Sequence, residues 1–495
     1  MSDEAPSSSR GISRAVVSRY AIGSIGTGGF ATLPGLVLTY YLTDNLGVTA
    51  LLAGVIVTVS KVWDVVIDPV VGALTDRDLA RHGTRRRLMV LGAVTLPPLF
   101  ALTFAAPPTL GPVVGAVWVL LAFMATATAF SLFQVPYIAL PAELTDDYDV
   151  RTRLLTWRVV ALTVAILLFG AGGPILRSVT GDPTSGYLVM GAVAGLIIGV
   201  GMLIASSVAG GASRRRSAMA AAGTQAAETA ELLADAAGDP PMRRVGPDAS
   251  TPAGGVRDNF RSAAETLRRS QPFRALLTTF VLQALATGLM LAGAQYLATW
   301  VLRSEDAVTF LFAALIAPAV LAAPAWGRLA RRIGKERAFA GASVLFAVAA
   351  LSTAGALWAP GGWLYASVAV AGVAYAGMQS LPMAMLPDVI AHDAARHGPG
   401  RAGAFGGVWT AGETTGFALG ATALALVLAA TGYIERTGTM LVWQPASATA
   451  GIVVSFSVVP AALVLVSLLS LSRYRLRRRD ISDTVDVSGP RQVGT

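Results

Sequence analysis

Twelve stretches of about 20 predominantly apolar residues, each long enough to cross a bilayer as a helix, constrain this chain more than any other feature. They lie near 20–42, 50–75, 88–107, 112–139, 157–178, 186–209, 273–300, 308–330, 337–358, 362–389, 402–431 and 447–472. Composition agrees: 54% of the residues are hydrophobic and 14% charged, against roughly a quarter charged in soluble domains. The expected fold class is an all-α membrane protein with twelve transmembrane helices. The polar start MSDEAPSSSRGISR has no short apolar core and leads straight into a full-length span, so no cleavable signal is expected. With no cysteine there is no disulfide, thiol catalyst or thiolate metal site.

The net charge of +9 acquires meaning only once the basic residues are placed. With the N-terminus inside, 33 of the 38 Lys and Arg fall on the cytoplasmic side, and Arg177, Arg303 and Arg436 on the other. Lys61 and Arg158 fall within spans. This asymmetry is the positive-inside rule. It places both termini in the cytoplasm of a multi-pass plasma (inner) membrane protein. Runs such as Arg85-Arg86-Arg87 and RYRLRRR at 473–479 then face lipid headgroups, so membrane lipids are expected partners and nucleic acid is not.

Six spans, a polar break and six further spans give the organisation. A cytoplasmic N-tail (1–19) precedes an N-terminal six-helix bundle (20–210), a cytoplasmic linker (211–272), a C-terminal bundle (273–472) and a basic cytoplasmic C-tail (473–495). The Ala-, Gly-, Pro- and charge-rich part, 211–256, reads as a mobile linker. The following VRDNFRSAAETLRRSQPF puts Phe260, Ala264 and Leu267 on one side and reads as a short interfacial helix. The halves share a loop pattern: GALTDRDLARHGTRRR from Gly72 and GRLARRIGKER from Gly327. Two matched sets of six spans are how alternating-access transporters are built.

Within the second span, KVWDVVIDPVVGALTDR at 61–77 places Lys61, Asp64 and Asp68 within an arc of roughly 60° on a helix. Two nearby carboxylates in a poorly hydrated cavity titrate as a coupled unit and favour a cation between them. The alternative is a structural cluster in which Lys61, with Arg158, neutralises them. Intramembrane ionisable groups default to pathway or relay roles. The histidines His82, His392 and His397 lie in inner loops without metal-ligand spacing or a nucleophile partner, and no phosphate-binding Gly-x-x-x-x-Gly-Lys-Ser/Thr loop is present. These observations point away from an enzyme, a cofactor and ATP-driven transport. Gln283, Gln295, Gln379 and Glu413 read as interhelical hydrogen-bonding groups more than as ligands, and the spacing Gly412, Gly416, Gly420 as a close helix contact.

The first loop resembles the signature of the major facilitator superfamily through Gly72, Asp76, Arg77, Gly83 and Arg85; the second copy has Arg331 where an acid is typical. The blocks LTYYLTDNLG (38–47), KVWDVVIDPVVGALTDR, VPYIALPAELTDDYDVRTRLLTWR (135–158), SQPFRALL (270–277) and MLPDVIAHDAARHGPGRAGAFGGVWT (385–410) resemble the glycoside-pentoside-hexuronide:cation symporter family, of which the melibiose permease is a member. The resemblance implies two pseudo-symmetric six-helix bundles and a cation-coupled importer of a sugar or glycoside. It implies cation ligands at Asp64 and Asp68 with a hydroxyl from Ser131. It further implies a substrate cavity at Gly28, Gln134, Arg158 and Thr414, with Trp409 available to stack on a sugar face. Asp76 and Arg77, with Lys61, Arg85 and Glu413, are the expected gating residues.

Departures from the family pattern matter. Ile67 stands where the melibiose permease has an Asn ligand, which favours H⁺ over Na⁺; Asp64 and Asp68 would be metal ligands only if Na⁺ were the ion. Gly28, Gln134 and Thr414 stand where the family has Asp, Asp and Lys, so the strongest sugar ligands are missing. The expected partner is a small-molecule substrate, and the expected state a monomer. The rivals are an exporter or carrier of a more apolar or lipid-like molecule, and a non-transporting membrane sensor or scaffold acting through the linker and tail.

Overall fold

The apolar runs become helices because a helix satisfies its backbone hydrogen bonds internally. The computed structural model describes residues 12–145, 148–237, 267–397, 402–437, 442–474 and 476. The first half comprises α1 (Arg14–Asp44), α2 (Ala50–His82), α3 (Arg86–Thr103), α4 (Pro112–Leu144), α5 (Tyr148–Ser178) and α6 (Pro183–Ala237). The second comprises α7 (Gln271–Tyr296), continued by a π turn over Leu297–Val301, and α8 (Ala307–Ile333). There follow α9 (Lys335–Ser352), α10 (Trp363–His397), α11 (Ala402–Ala430), α12 (Ala446–Phe456) and α13 (Val458–Leu471). The last two form one crossing, divided at Ser457, so twelve crossings among the described residues are long and apolar enough to span a membrane. The break has a local cause: Pro460 has no N–H to offer the carbonyl of Phe456.

The repeat seen in the loops is present in the packing. In the first bundle α1 packs on α5 and α6, α3 on α4 and α6, and α2 on α4; adding six positions, α7 packs on α11 and α13, α9 on α10 and α13, and α8 on α10. The matched loops also turn alike. Gly83 (φ 67°) closes α2, donating its N–H to Leu79 O at 2.8 Å, and Gly334 (φ 94°) closes α8, donating to Ala330 O at 3.0 Å. Both sit in the left-handed region that glycine enters without a Cβ clash.

One expectation is overturned. Residues 211–237, read as the start of a mobile linker, continue α6 to a length of 55 residues. The segment SRRRSAMAAAGTQAAETAELLADAA is dominated by Ala, Glu, Leu and Arg, strong helix formers whose propensity prevails over its polarity. The remaining linker and most of the expected interfacial helix, 238–266, lie outside the described residues. So do residues 1–11 and the C-tail beyond 476. Leu267 packs on the hydrophobic core.

The bundles meet through α2 against α11, α5 against α8 and α1 against α7. The first two contacts are images of each other under the repeat. Thr58 and Thr422 hydroxyls meet at 2.5 Å, and Thr309 donates to Ala171 O at 3.1 Å. Small residues permit the approach: a Cβ on Gly54 would run into the Ala425 methyl.

Candidate functional site

α2 carries Lys61, Asp64 and Asp68 along a stretch that packs near α4. Lys61 Nζ lies 3.1 Å from Asp64 Oδ2. Ser131 Oγ, buried on α4, donates to Asp68 Oδ1 at 2.5 Å. Near these residues Trp63 Nε1 donates to Thr128 Oγ1 at 2.9 Å, so two bonds fix the register of α2 on α4. Asp68 is exposed, while the Asp64 and Lys61 side chains are 16% and 29% exposed. The expected cation residues Asp64, Asp68 and Ser131 are thus brought together. Lys61, expected at a gate, is paired with Asp64 beside them. Two carboxylates and one ammonium carry a net charge of −1, which one monovalent cation balances. Ile67 adds no oxygen, and the described residues contain no group of three or more His, Cys, Asp or Glu placed to hold a metal ion.

A second polar group lies between α1, α4 and α5. Thr27 donates to Gln134 Oε1 at 2.8 Å. Tyr137 donates to Tyr20 O at 2.7 Å, with its ring stacked on Tyr20 (4.8 Å) and Phe133 (5.0 Å). The half-buried Arg158 guanidinium sits 5.5 Å from the Tyr137 ring centroid, a cation–π arrangement. Arg158 therefore lies against an aromatic platform whose Tyr137 is three residues from Gln134 on α4.

Gly28 is differently placed. A Cβ there would lie 2.7 Å from the Ala165 Cβ and 3.0 Å from Leu162 O, so this position serves the approach of α1 to α5. Trp409 is 2% exposed and stacked on Phe280 at 4.3 Å. That ring already covers it, which corrects the expectation that it lies open to a sugar. Thr414 is half-buried on α11. Of the expected gate, Arg77 is exposed at the end of α2, Arg85 is half-buried at the N-cap of α3, and the Asp76 side chain lies outside the described residues. Glu413 is half-buried within the C-terminal bundle, near Tyr375 of α10.

A buried inter-bundle ion-pair network was not singled out from the sequence. Asp44, 1% exposed at the end of α1, lies 3.1 Å from Arg436 Nε. It also accepts from the Tyr433 hydroxyl at 2.9 and 2.8 Å and from Thr43 at 2.7 Å. Reciprocally, Arg177 of α5 pairs with Glu305 at 2.9 Å, and Glu305 pairs with Arg436 at 3.1 Å. Burial, then the charge of Asp44, pushes the Tyr433 hydroxyl well above the usual phenol range, so it remains a donor. Backbone pairing reinforces the latch: Arg436 N–H donates to Thr43 O at 3.1 Å, and Leu46 bridges to Thr437. Two sequence signals lead here. Asp44 lies in LTYYLTDNLG, and Arg177 and Arg436 are two of the three arginines left on the sparsely basic face.

Comparison with known proteins follows this geometry. A family described as MFS/sugar transport protein matches residues 19–246 and 247–478, once per half. The putative glycoside/cation symporter YagG of Escherichia coli (strain K12) is 29% identical over 36% of this chain and 39% of its own length. The uncharacterized symporter sll1374 of Synechocystis sp. is 32% identical over 32% of this chain and 28% of its own. The glucuronide carrier protein homolog of E. coli is 27% identical over 36% and 40%. The matched segments thus span about two fifths or less of these relatives. Among solved structures, one reported for substrate recognition in proton dependent oligopeptide transporters aligns at TM-score 0.62 and 14% identity, covering 95% of this chain and 99% of that one. A bacterial homolog of the human lysosomal transporter Spinster aligns at 0.59 and 16%, covering 95% and 97%. These likenesses bear on the fold alone. The names of the relatives agree with the glycoside-pentoside-hexuronide:cation symporter resemblance. Given twelve apolar crossings, a packing repeat between halves and a family match to each half, the chain belongs to the MFS/sugar transport protein family of membrane transporters.

Proposed function

We propose that this protein is a cation-coupled secondary transporter of a sugar or glycoside, working by alternating access with H⁺ as the coupling ion. Both termini lie in the cytoplasm of the plasma membrane, following the charge asymmetry. The Asp44–Arg436 latch then closes the external face in the state described here. The observation that carries the reading is the α2–α4 set: Lys61 on Asp64, Ser131 on Asp68, and one uncompensated negative charge. A proton needs only a carboxylate, whereas Na⁺ favours several oxygens, and Ile67 withholds one. Gln134 and Arg158, beside the Tyr20–Tyr137 stack, offer hydrogen-bonding groups to substrate hydroxyls.

Proteoliposomes test this. If one charge enters with each neutral substrate, the membrane potential supplies about 2.3 kcal/mol per 100 mV. At roughly 150 mV that is about 3.5 kcal/mol, a few hundred-fold accumulation. Asp64→Asn and Asp68→Asn should each abolish accumulation while leaving insertion intact. Substrate addition should alkalinise a weakly buffered medium without Na⁺. Undiminished accumulation in the double variant would reduce Asp64 and Asp68 to structural partners of Lys61.

A further inference from the structure

The loop between α11 and α12 spans 431–445, whereas its counterpart in the repeat, between α5 and α6, spans 179–182. The first part of the longer loop is fastened to its own bundle. Tyr433 N–H donates to Leu428 O at 3.0 Å, and the Gln444 side chain holds Ile434 twice, accepting from its N–H at 3.0 Å and donating to its carbonyl at 2.7 Å. From that base three successive residues reach the other bundle. Glu435 Oε1 accepts from Ala50 N–H at 2.8 Å, Arg436 pairs with Asp44, and Thr437 bridges to Leu46. This strap grips both arms of the α1–α2 turn, Arg436 at the end of α1 and Glu435 at the start of α2. Gly47 leaves it room: φ there is 67°, and a Cβ would lie 2.5 Å from Thr437 Oγ1.

The Glu435 contact answers a need of α2. The first N–H groups of a helix have no partner within it, and an acceptor from outside, above all a negatively charged one, stabilises that end. α2 supplies none of its own. Its N-cap, Thr49, has non-helical backbone (φ −57°, ψ 142°) suited to capping, yet its hydroxyl makes no cap, and the first turn carries no acid. Ala50 is 1% exposed, so in this state Glu435 and not water serves its N–H.

We propose that Glu435 is the cap of α2, supplied across the bundles by the strap, and that opening of the external face must withdraw it. The helix so held carries Lys61, Asp64 and Asp68, and it meets the C-terminal bundle again at Thr58. Glu435 is therefore a positioning residue for the cation-bearing helix. The proposal rests on the alternating-access part of the proposed function and adds to the latch a contact that its ion pairs do not include.

The test uses the purified full chain carrying a single Leu291→Cys substitution, at a side chain that packs against Gly35 between α1 and α7. Loss of a helix cap corresponds to about a fivefold change, within a two- to thirtyfold range. Glu435→Ala should speed maleimide labelling of that cysteine by such a factor, and should speed amide hydrogen exchange over 50–53 along with it. Glu435→Gln keeps an acceptor for the Ala50 N–H and should recover part of both. Thr49→Ala should change neither, because Thr49 caps nothing in this state. Either effect of Glu435→Ala without the other would overturn the proposal, as would a Thr49→Ala response equal to that of Glu435→Ala. Labelling that Arg436→Gln speeds and Glu435→Ala leaves at the parent rate would overturn the cap and leave the latch standing. No response to either variant would overturn the alternating-access reading of this face as well.

Discussion

Replacing Arg436 by Gln should release the latch at the end of α1. In the described state Asp44 is 1% exposed and holds one guanidinium and two hydroxyls, from Tyr433 and Thr43. Removing the guanidinium leaves a buried carboxylate supported by hydroxyls alone. Breaking a buried pair costs about 3–5 kcal/mol. The Arg436 side chain is 20% exposed, so the low end, about 3 kcal/mol, applies. That corresponds to roughly two decades in the equilibrium between the latched state and one open on this face. The chain has no cysteine, so a single Leu291→Cys label is unambiguous. Leu291 packs against Gly35 at the α1–α7 contact and is half-buried there, so its exposure should rise when the bundles part. A membrane-impermeant maleimide, added from outside, should label Leu291→Cys at least tenfold faster with Arg436→Gln. The double variant Asp44→Asn, Arg436→Gln should return toward the parent rate, because no uncompensated charge remains. A rate within twofold of the parent in a correctly inserted Arg436→Gln protein would refute the latch.

Two further outcomes follow from the proposed topology and gate. Labels placed in 211–256 and after Arg479 should react only from the cytoplasmic side; reaction from the periplasm would overturn the orientation. Asp76→Asn, at the basic end of α2, should slow cycling while leaving substrate affinity nearly intact. Stopped-flow transport and equilibrium binding separate the two, and a large affinity loss with normal cycling would contradict a gating role.

The crossings were legible in the sequence because a membrane span must be apolar along its whole length, which hydropathy alone reports. The clustering of Lys61, Asp64 and Asp68 was legible because they lie within about two turns of one helix, where spacing fixes direction. The latch was not, because Asp44 and Arg436 are 392 residues apart and nothing local marks them as partners. Gly28 and Trp409 failed for a related reason. Alignment to a family places a residue on a helix, but which neighbour it faces depends on how α1 settles on α5 and α11 on α7. The extension of α6 was misread because polarity suggested a linker where Ala and Glu content favours a helix.

α2 links these parts. Its Thr58 touches Thr422 across the bundles at 2.5 Å, and one turn further along lies Lys61, with Asp64 and Asp68 beyond. On the proposed function, the cation set therefore lies directly beneath the deepest described inter-bundle hydrogen bond, on the side that must close when the latch opens. Closing there would strip water from a site of net charge −1, an unfavourable step in low dielectric. Taking up one proton removes that charge before closure. The same argument requires that substrate and proton both be bound, or both absent and the site otherwise neutralised, before α2 can swing. If closure is governed by this desolvation, Asp68→Asn alone should still exchange substrate across the membrane in both directions, since its site is permanently neutral. Exchange in preloaded proteoliposomes should continue while uphill accumulation is lost. Loss of both would place the role of Asp68 in substrate binding and not in the cost of closing an uncompensated charge.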